Sequence, residues 1–238
     1  MDEIIIIPDV HCRDFFKKIL QIKDKKIVFL GDYLDPYSPE GFSFENGLAN
    51  LEEIIDFKKN NPEKVTLLLG NHDWNYIWQF NWASRYNPKY SADAHELFKT
   101  NFNLFEPYKI IGNIIFTHAG ISSGWAHIWN MTDIILNINN DWNKILLDPF
   151  KEQYLSIFDI GHARGGFSLY GGIFWNDINE ISANPLDYIQ IAGHNQLYKT
   201  GSFLDMSKMP YWNGKPFYCC DSREVFIWKN NKLQVYEN

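Results

Sequence analysis

The chain has 238 residues but only three cysteines, Cys12, Cys219 and Cys220. An odd number at this spacing predicts neither a disulfide framework nor a zinc ribbon. Because no disulfides are expected, a reducing cytoplasm is the default location, and we expect a cytoplasmic protein. We expect Cys219 and Cys220, which follow apolar neighbours, to be buried residues of a strand.

Long apolar runs are also missing from the chain. The run at Ile4–Ile7 is too short for the apolar part of a signal peptide, and the acidic residues Asp2 and Glu3 precede it. No run approaches the roughly 20 apolar residues of a membrane span. The sequence therefore predicts neither a signal peptide nor contact with a membrane.

Positive charge is scarce, and only four of the residues are arginines. The 22 basic and 29 acidic side chains give a net charge of -7. The short lysine runs lie in helical patterns and are typical of solvated helix faces. An acidic chain without a basic patch makes nucleic acid an unfavourable partner. The glycine-rich stretch 161–172 lacks the Gly-x-x-x-x-Gly-Lys spacing of a P-loop.

Short hydrophobic strands alternate with helical patterns along the chain. The predicted strands are 4–7, 27–30 and 63–69, with helices over 15–22 and 46–60 between them, a hairpin over 108–117, a strand over 188–192, and two strands within 217–236 that turn at Asn230-Asn231. The βα order of the first part predicts that the ends of its strands lie along one edge of one sheet.

Polar residues of metal-binding type follow five of these strands. They are Asp9-Val10-His11; Gly31-Asp32-Tyr33-Leu34-Asp35; Gly70-Asn71-His72-Asp73; Thr117-His118-Ala119-Gly120; and Gly193-His194-Asn195. Each cluster alone fits an ordinary polar turn. Five clusters at strand ends instead favour a metal centre. The donors are all oxygen or nitrogen, which suits one or two ions of Mn, Fe, Zn or Ni and disfavours a closed structural zinc site.

In this order the five blocks resemble the calcineurin-like metallophosphoesterase superfamily, and they span residues 9–194. The form of the second block and the single final His are most similar to the branch of Ser/Thr protein phosphatases and bacterial dinucleoside tetraphosphatases, as is Trp175-x-Asp177. The resemblance implies an α/β fold (α+β in some schemes), a four-layer sandwich of two mixed β-sheets face to face with helices on both outer sides. It also implies a single domain over 1–238, with 74–108 and 125–158 as mainly helical insertions near the active-site edge.

The resemblance also implies a site with two divalent ions, of which manganese is the preferred choice. The first ion would take Asp9, His11 and Asp32, and the second would take Asp32, Asn71, His118 and His194, with Asp32 bridging. The two ions would share the hydroxide that attacks phosphorus. His72 would protonate the leaving oxygen, and Asp35 would orient His72 by a hydrogen bond.

Further residues have less specific expectations. The protein phosphatases place Arg-Gly after the second Asp of their Gly-Asp block, where this chain has Pro36-Tyr37. Our choice for a residue that binds the substrate phosphate is therefore Arg164, together with Asn71, and the alternative for Arg164 is an ordinary surface arginine. Asp73 and Asp221 are expected to support the metal ligands from behind, with a plain turn as the alternative for Asp221. His95 and His162 are interpreted as structural or surface histidines, and His127 is given no role.

The sequence thus predicts a metal-dependent phosphoesterase, with a small phosphorylated molecule or a nucleotide as its substrate. The acidic charge and the aromatic residues of 74–108 favour this class, although most of these aromatics are expected to be packing residues. A protein Ser/Thr phosphatase, a nuclease or phosphodiesterase, and a catalytically silent metal-binding scaffold are the alternatives. The sequence leaves the oligomeric state and the preference for a monoester or a diester open.

Overall fold

The computed structural model describes residues 3–80, 84–130, 138–145, 152–197, 204–205 and 215–237. The chain forms two compact units, one made of Met1–Phe105 with Arg223–Asn238 and the other of Glu106–Ser222. Each unit is built on one β-sheet. Among the described residues, no helix combines the length and the apolar content that crossing a bilayer requires.

The strands are short, with two to four residues each. In the described residues they are β1 (Ile4–Ile7), β2 (Lys26–Phe29), β3 (Val65–Leu68), β4 (Phe105–Glu106), β5 (Tyr108–Ile111), β6 (Ile114–Thr117), β7 (Ile189–Ala192), β8 (Leu204–Asp205), β9 (Phe217–Cys219), β10 (Phe226–Lys229) and β11 (Lys232–Val235).

The helices are of two kinds. The α-helices are α1 (Phe44–Asn60), α2 (Asn71–Ile77), α3 (Ser91–Thr100) and α4 (Ser123–Trp129), and residues 138–145 are also helical. The 3-10 helices are Lys17–Gln21, Ser38–Glu40, Pro88–Tyr90, Phe102–Leu104, Glu152–Phe158, His162–Arg164 and Ile178–Glu180.

The first unit carries a six-stranded sheet in the order β11-β10-β1-β2-β3-β4. Strands β1, β2 and β3 run parallel, whereas β10 is antiparallel to both β1 and β11. All four residues of β1 are buried, as its unbroken apolar run predicts. Because the three parallel strands end at one edge, the residues that follow them are brought to that edge.

Helix α1 connects β2 to β3 and begins two residues before the predicted start at residue 46. Its cap is Ser43, whose hydroxyl accepts a hydrogen bond from the Asn46 amide at 3.1 Å. The helix buries Leu51, Ile54 and Ile55, which recur at helical spacing.

The second unit carries a five-stranded sheet in the order β5-β6-β7-β9-β8. Strands β6, β7 and β9 run parallel, and the outer strands β5 and β8 run antiparallel to their neighbours. The predicted hairpin over 108–117 is confirmed as β5 and β6. The predicted α/β fold with two mixed sheets and helices is confirmed by these two sheets.

Two local predictions are wrong. The predicted helix over 15–22 is the 3-10 helix Lys17–Gln21, in which Ile19 N donates to Phe16 O at 2.7 Å. A segment this short forms too few i→i+4 hydrogen bonds to offset the free-energy cost of nucleating an α-helix. The residues 217–236 form three strands instead of two, and β9 belongs to the second sheet. Alternation of apolar residues gives no information about which sheet a strand joins.

The turn predicted at Asn230-Asn231 is confirmed. Both residues have positive φ, 53° and 58°, as a two-residue hairpin turn between β10 and β11 requires. The predicted helical segments 74–108 and 125–158 contain the helices given above. The first also contains β4 and the start of β5, and residues 81–83, 131–137 and 146–151 of these segments lie outside the described residues.

Candidate metal centre

Three side chains that follow β1 and β2 form a buried group of potential metal ligands. One ligand atom each of Asp9, His11 and Asp32 lies within 4.8 Å of the other two. His11 Nε2 is 3.6 Å from Asp32 Oδ2 and 3.9 Å from Asp9 Oδ2. Two carboxylates and one imidazole are a donor set that first-row divalent cations accept. The predicted first ligand set is therefore brought together within the first unit.

The orientation of His11 suits a metal ligand. Its Nδ1 lies 2.9 Å from the carbonyl oxygen of Leu34, and because a carbonyl only accepts, Nδ1 carries the proton. Burial lowers the pKa of His11 well below its usual range, against the opposing charge of Asp32. The ring is therefore neutral, and the lone pair of Nε2 faces the two carboxylates. These residues fit a divalent cation by their chemistry and by their arrangement.

Unusual backbone conformations hold these loops together. His11, Asp32 and Asp35 have φ values of 45°, 52° and 64°, a region that residues other than glycine rarely adopt. His11 N donates to Asp32 O at 2.7 Å, so the loop after β1 is tied to the loop after β2. Strained residues that the surrounding structure enforces concentrate at functional sites.

The loop after β2 also packs closely on the loop after β3. A Cβ atom added to Gly70 would lie 2.1 Å from Asp32 Oδ1, so no side chain fits at this position. The carboxylate of Asp73 accepts hydrogen bonds from the backbone amides of Gly70, Asp32 and Tyr33 at 2.7, 2.9 and 3.0 Å. Burial, with the charge of Asp32, raises the pKa of Asp73. Asp73 thus supports Asp32 from behind.

A second pair of residues joins an imidazole to a buried carboxylate. His72 Nδ1 lies 2.6 Å from Asp35 Oδ2, and the Tyr76 hydroxyl donates to the other oxygen of Asp35. Burial and the charge of Arg85 lower the pKa of His72, but the charge of Asp32, the hydrogen bond that Nδ1 donates to Asp35 and the charge of Asp35 outweigh them and raise the pKa overall. The backbone amide of His72 donates to Asp32 Oδ1 at 2.9 Å, which fixes this pair beside the carboxylate group.

The predicted ligand Asn71 is the first residue of α2 and is buried. It directly follows Gly70 at the end of β3, as predicted. His95 packs against the end of α2: its Nδ1 lies 3.1 and 3.0 Å from the carbonyl oxygens of Tyr76 and Ile77. His127 and His162 are exposed in the second unit.

Two buried histidines meet in the second unit. His118 follows β6 and His194 follows the parallel strand β7, and their ring centroids are 5.1 Å apart. Gly193 N donates to His118 O at 2.7 Å, which joins the two strand ends. Asp221 is buried and follows β9, the parallel neighbour of β7. It therefore lies at the same edge of this sheet as His194.

Arg164 and the Trp175-x-Asp177 motif also lie in the second unit. Arg164 Nε is 2.6 Å from Asp177 Oδ2, and Arg164 Nη2 donates to Asn195 Oδ1. Trp175 packs edge-on against His194, with 5.9 Å between ring centroids. The arginine predicted to bind phosphate is therefore engaged by an aspartate and an asparagine.

Three residues near the candidate metal centre and the His72–Asp35 pair were not predicted from the sequence: Tyr37, Tyr76 and Arg85. Tyr76 reaches Asp35, and Arg85 Nη2 lies 3.4 Å from His72 Nε2. Arg85 is 50 residues from Asp35 in the chain, and no local motif marks it. The sequence offered one hint: arginine is scarce, and Arg85, one of only four, lies 12 residues after the block that ends at Asp73.

Taken together, the two mixed sheets and the carboxylate and imidazole side chains at the ends of parallel strands define an α/β protein with a candidate metal centre. The family model of the calcineurin-like phosphoesterases matches residues 3–222, and the chain belongs to this family of hydrolases.

Solved structures with a similar fold include phosphatases. The cold-active protein-tyrosine phosphatase of the psychrophile Shewanella sp. matches with a TM-score of 0.61 and 15% identity, over 98% of this chain and 77% of that chain. A further structure of a cold-active protein tyrosine phosphatase matches with a TM-score of 0.60 and 15% identity, over 98% of this chain and 75% of that chain. At this level of identity the likeness shows the fold.

Proposed function

We propose that this protein is a metal-dependent phosphoesterase that hydrolyses a small phosphorylated molecule or a nucleotide. The observation that carries the proposal is the buried group of Asp9, His11 and Asp32, with the His72–Asp35 pair attached to it through the His72 amide. Membership of the calcineurin-like phosphoesterase family gives the reaction class.

Two divalent ions, with manganese preferred over iron, zinc or nickel, are part of the proposal. Asp9, His11 and Asp32 would hold the first ion, and Asp32, Asn71, His118 and His194 would hold the second. Bound divalent ions supply a hydroxide nucleophile at neutral pH and stabilise the charge of the reacting oxygens.

His72 is proposed as the general acid. The charge of Asp32 and the hydrogen bond to Asp35 raise its pKa, and because Asp35 accepts from Nδ1, Nε2 is the ring nitrogen that would carry the transferred proton. Asp35 is held in turn by Tyr76, whose hydroxyl oxygen accepts from the Asn87 amide at 3.0 Å. His72 would give its Nε2 proton to the leaving oxygen, and Asp35 would stabilise the imidazolium before transfer.

The proposed substrate class rests mainly on the net charge of the chain. The net charge of -7 disfavours a polyanionic polymer, and a short phosphorylated molecule meets less repulsion. The described aromatic side chains of 74–108 pack largely on one another, as Trp74 does on Trp78 at 4.4 Å and Tyr76 on Tyr86 at 4.9 Å. A cytoplasmic location without membrane contact belongs to the same proposal.

Release of p-nitrophenol from p-nitrophenyl phosphate tests the proposal, with the bis ester measured in parallel and with Mn²⁺, Fe²⁺, Zn²⁺ and Ni²⁺ added separately. We expect turnover of the monoester that depends on the divalent ion and that disappears in Asp32→Asn. Binding of metal without turnover of either ester would favour a silent metal-binding scaffold. Preferred turnover of the bis ester would favour a phosphodiesterase.

A further inference from the structure

Arg85 lies beside the His72–Asp35 pair and is held there by contacts on two sides. Its Nε donates to the carbonyl oxygen of Asp35 at 3.1 Å. Its guanidinium lies over the ring of Tyr37, with 3.7 Å between Cζ and the ring centroid. The backbone at Arg85 has a φ of 71°, a conformation that costs free energy for an arginine. The chain thus enforces this position of a half-buried cation.

The four arginines of the chain differ in how their charge is neutralised. Arg13 and Arg223 both pair with Glu40, and Arg164 pairs with Asp177. Within the part of the chain that the structure describes, the Arg85 guanidinium has no carboxylate side chain within ion-pair distance. Arg85 is therefore the arginine whose charge is left for a ligand to neutralise.

Arg85 also contacts the ring of His72. Arg85 Nη2 lies 3.4 Å from His72 Nε2, and because a guanidinium only donates, Nε2 is the acceptor of this long hydrogen bond. The Arg85 guanidinium therefore lies beside the ring nitrogen that faces away from Asp35, where an oxyanion at an ordinary distance of about 2.8 Å could replace this weak contact. A guanidinium can also present two parallel N–H groups to a phosphate.

We propose that Arg85 binds the non-bridging oxygens of the substrate phosphoryl group, an inference that rests on the proposed function. Pro36 and Tyr37 directly follow Asp35 in the chain. Tyr37 provides the ring on which Arg85 lies. The arginine thus comes from the segment after α2, and Tyr37 is its positioning residue.

The test compares Arg85→Met and Arg85→Lys with one matched control, Arg223→Met, and with Arg164→Met, which removes the arginine that the sequence predicts to bind phosphate. The measurements are KM and kcat for p-nitrophenyl phosphate with Mn²⁺, the Kd of inorganic phosphate by calorimetry on the Mn²⁺-loaded protein, and bound manganese. We expect Arg85→Met to raise KM and the Kd of phosphate by about 10- to 100-fold with manganese content unchanged, because charge-assisted hydrogen bonds are lost. Arg85→Lys should recover part of this loss, and Arg223→Met should behave as the wild type.

Tyr37 provides a second set of variants that leaves Arg85 intact. Tyr37→Ala should weaken phosphate binding by a smaller factor, and Tyr37→Phe should restore it, because the ring face alone supports the guanidinium. This set stays informative if Arg85→Met does not fold.

Two outcomes would overturn the assignment of Arg85. One is a KM and a phosphate Kd that stay within about twofold of the wild type in Arg85→Met. The other is a loss that occurs in Arg164→Met and not in Arg85→Met, which would make Arg164 the phosphate-binding arginine. A wild-type protein that neither hydrolyses the ester nor binds phosphate would instead refute the proposed function and this inference with it.

Discussion

The imidazole of His72 and the carboxylate of Asp35 are joined by a hydrogen bond of 2.6 Å between Nδ1 and Oδ2. The partners are 37 residues apart in the chain and follow two different strands of the same sheet. The bond fixes which nitrogen of the ring faces away from Asp35. Together with the larger effect of the Asp32 charge, it explains why the pKa of a buried histidine is raised although burial alone would lower it.

The first prediction concerns the role of His72 as a general acid. His72→Asn should retain bound manganese and lower kcat by about 10²- to 10⁴-fold, because a positioned proton donor is lost. The loss should be larger for phenyl phosphate than for p-nitrophenyl phosphate, since p-nitrophenolate leaves without a proton. Steady-state kinetics with both esters measure this difference, and His127→Asn, an exposed histidine of α4, is the control. Equal losses with the two esters would contradict proton donation by His72.

The second prediction concerns Asp73, which accepts three backbone hydrogen bonds beneath the candidate metal centre. Asp73→Asn should lower the free energy of unfolding by about 2–4 kcal/mol, because an amide NH₂ group faces donors where a carboxylate oxygen accepted. Urea unfolding of the metal-free protein measures this change. Asp56→Asn, on the exposed face of α1, should change it by less than about 0.5 kcal/mol. A similar small change in both variants would show that Asp73 does not hold these loops together.

The third prediction is a pH dependence of stability that comes from Glu40. Burial opposes the charge of Glu40, but hydrogen bonds and charge from Arg13 and Arg223 outweigh it and hold the pKa of Glu40 below its usual range. A depressed pKa in the folded state contributes stability that is fully present above the unfolded pKa, which is about 4.3 for a glutamate. That contribution is lost as the pH falls through the lower pKa of the folded state.

The measurement compares Glu40→Gln with the wild type by urea unfolding at several pH values. We expect the variant to be less stable by about 1–2 kcal/mol near pH 7, because Arg13 is buried and loses its ion pair. The gap should narrow only when the pH falls below about 4.3. A gap that is constant down to about pH 3, or one that closes near neutral pH, would show that the Glu40 charge does not act in this way.

The parts of the site that the sequence predicts are those that lie next to their own strand. Asp9, His11, Asp32 and Asn71 each stand within four residues of a short apolar run, and the βα order brings the ends of those runs to one edge. Local spacing was therefore sufficient to name them. The pairing of His72 with Asp35 followed from the family resemblance and is present in the structure at hydrogen-bond distance.

The contacts that sequence reasoning missed depend on where distant segments fold back. Arg85 lies at the site with its guanidinium over the ring of Tyr37, and no residue near Arg85 in the sequence predicts this contact. The three strands in 217–236 were missed for a related reason, since alternation describes one strand and not its sheet. Both errors concern long-range placement, which depends on packing and not on local propensity.

The anomalous difference map of a crystal grown with Mn²⁺, measured at the manganese absorption edge, tests the metal centre most directly. We predict a peak within ligand distance of Asp9, His11 and Asp32 that is absent from crystals of Asp32→Asn. Manganese bound elsewhere on the protein, with no peak between these three side chains, would contradict the account.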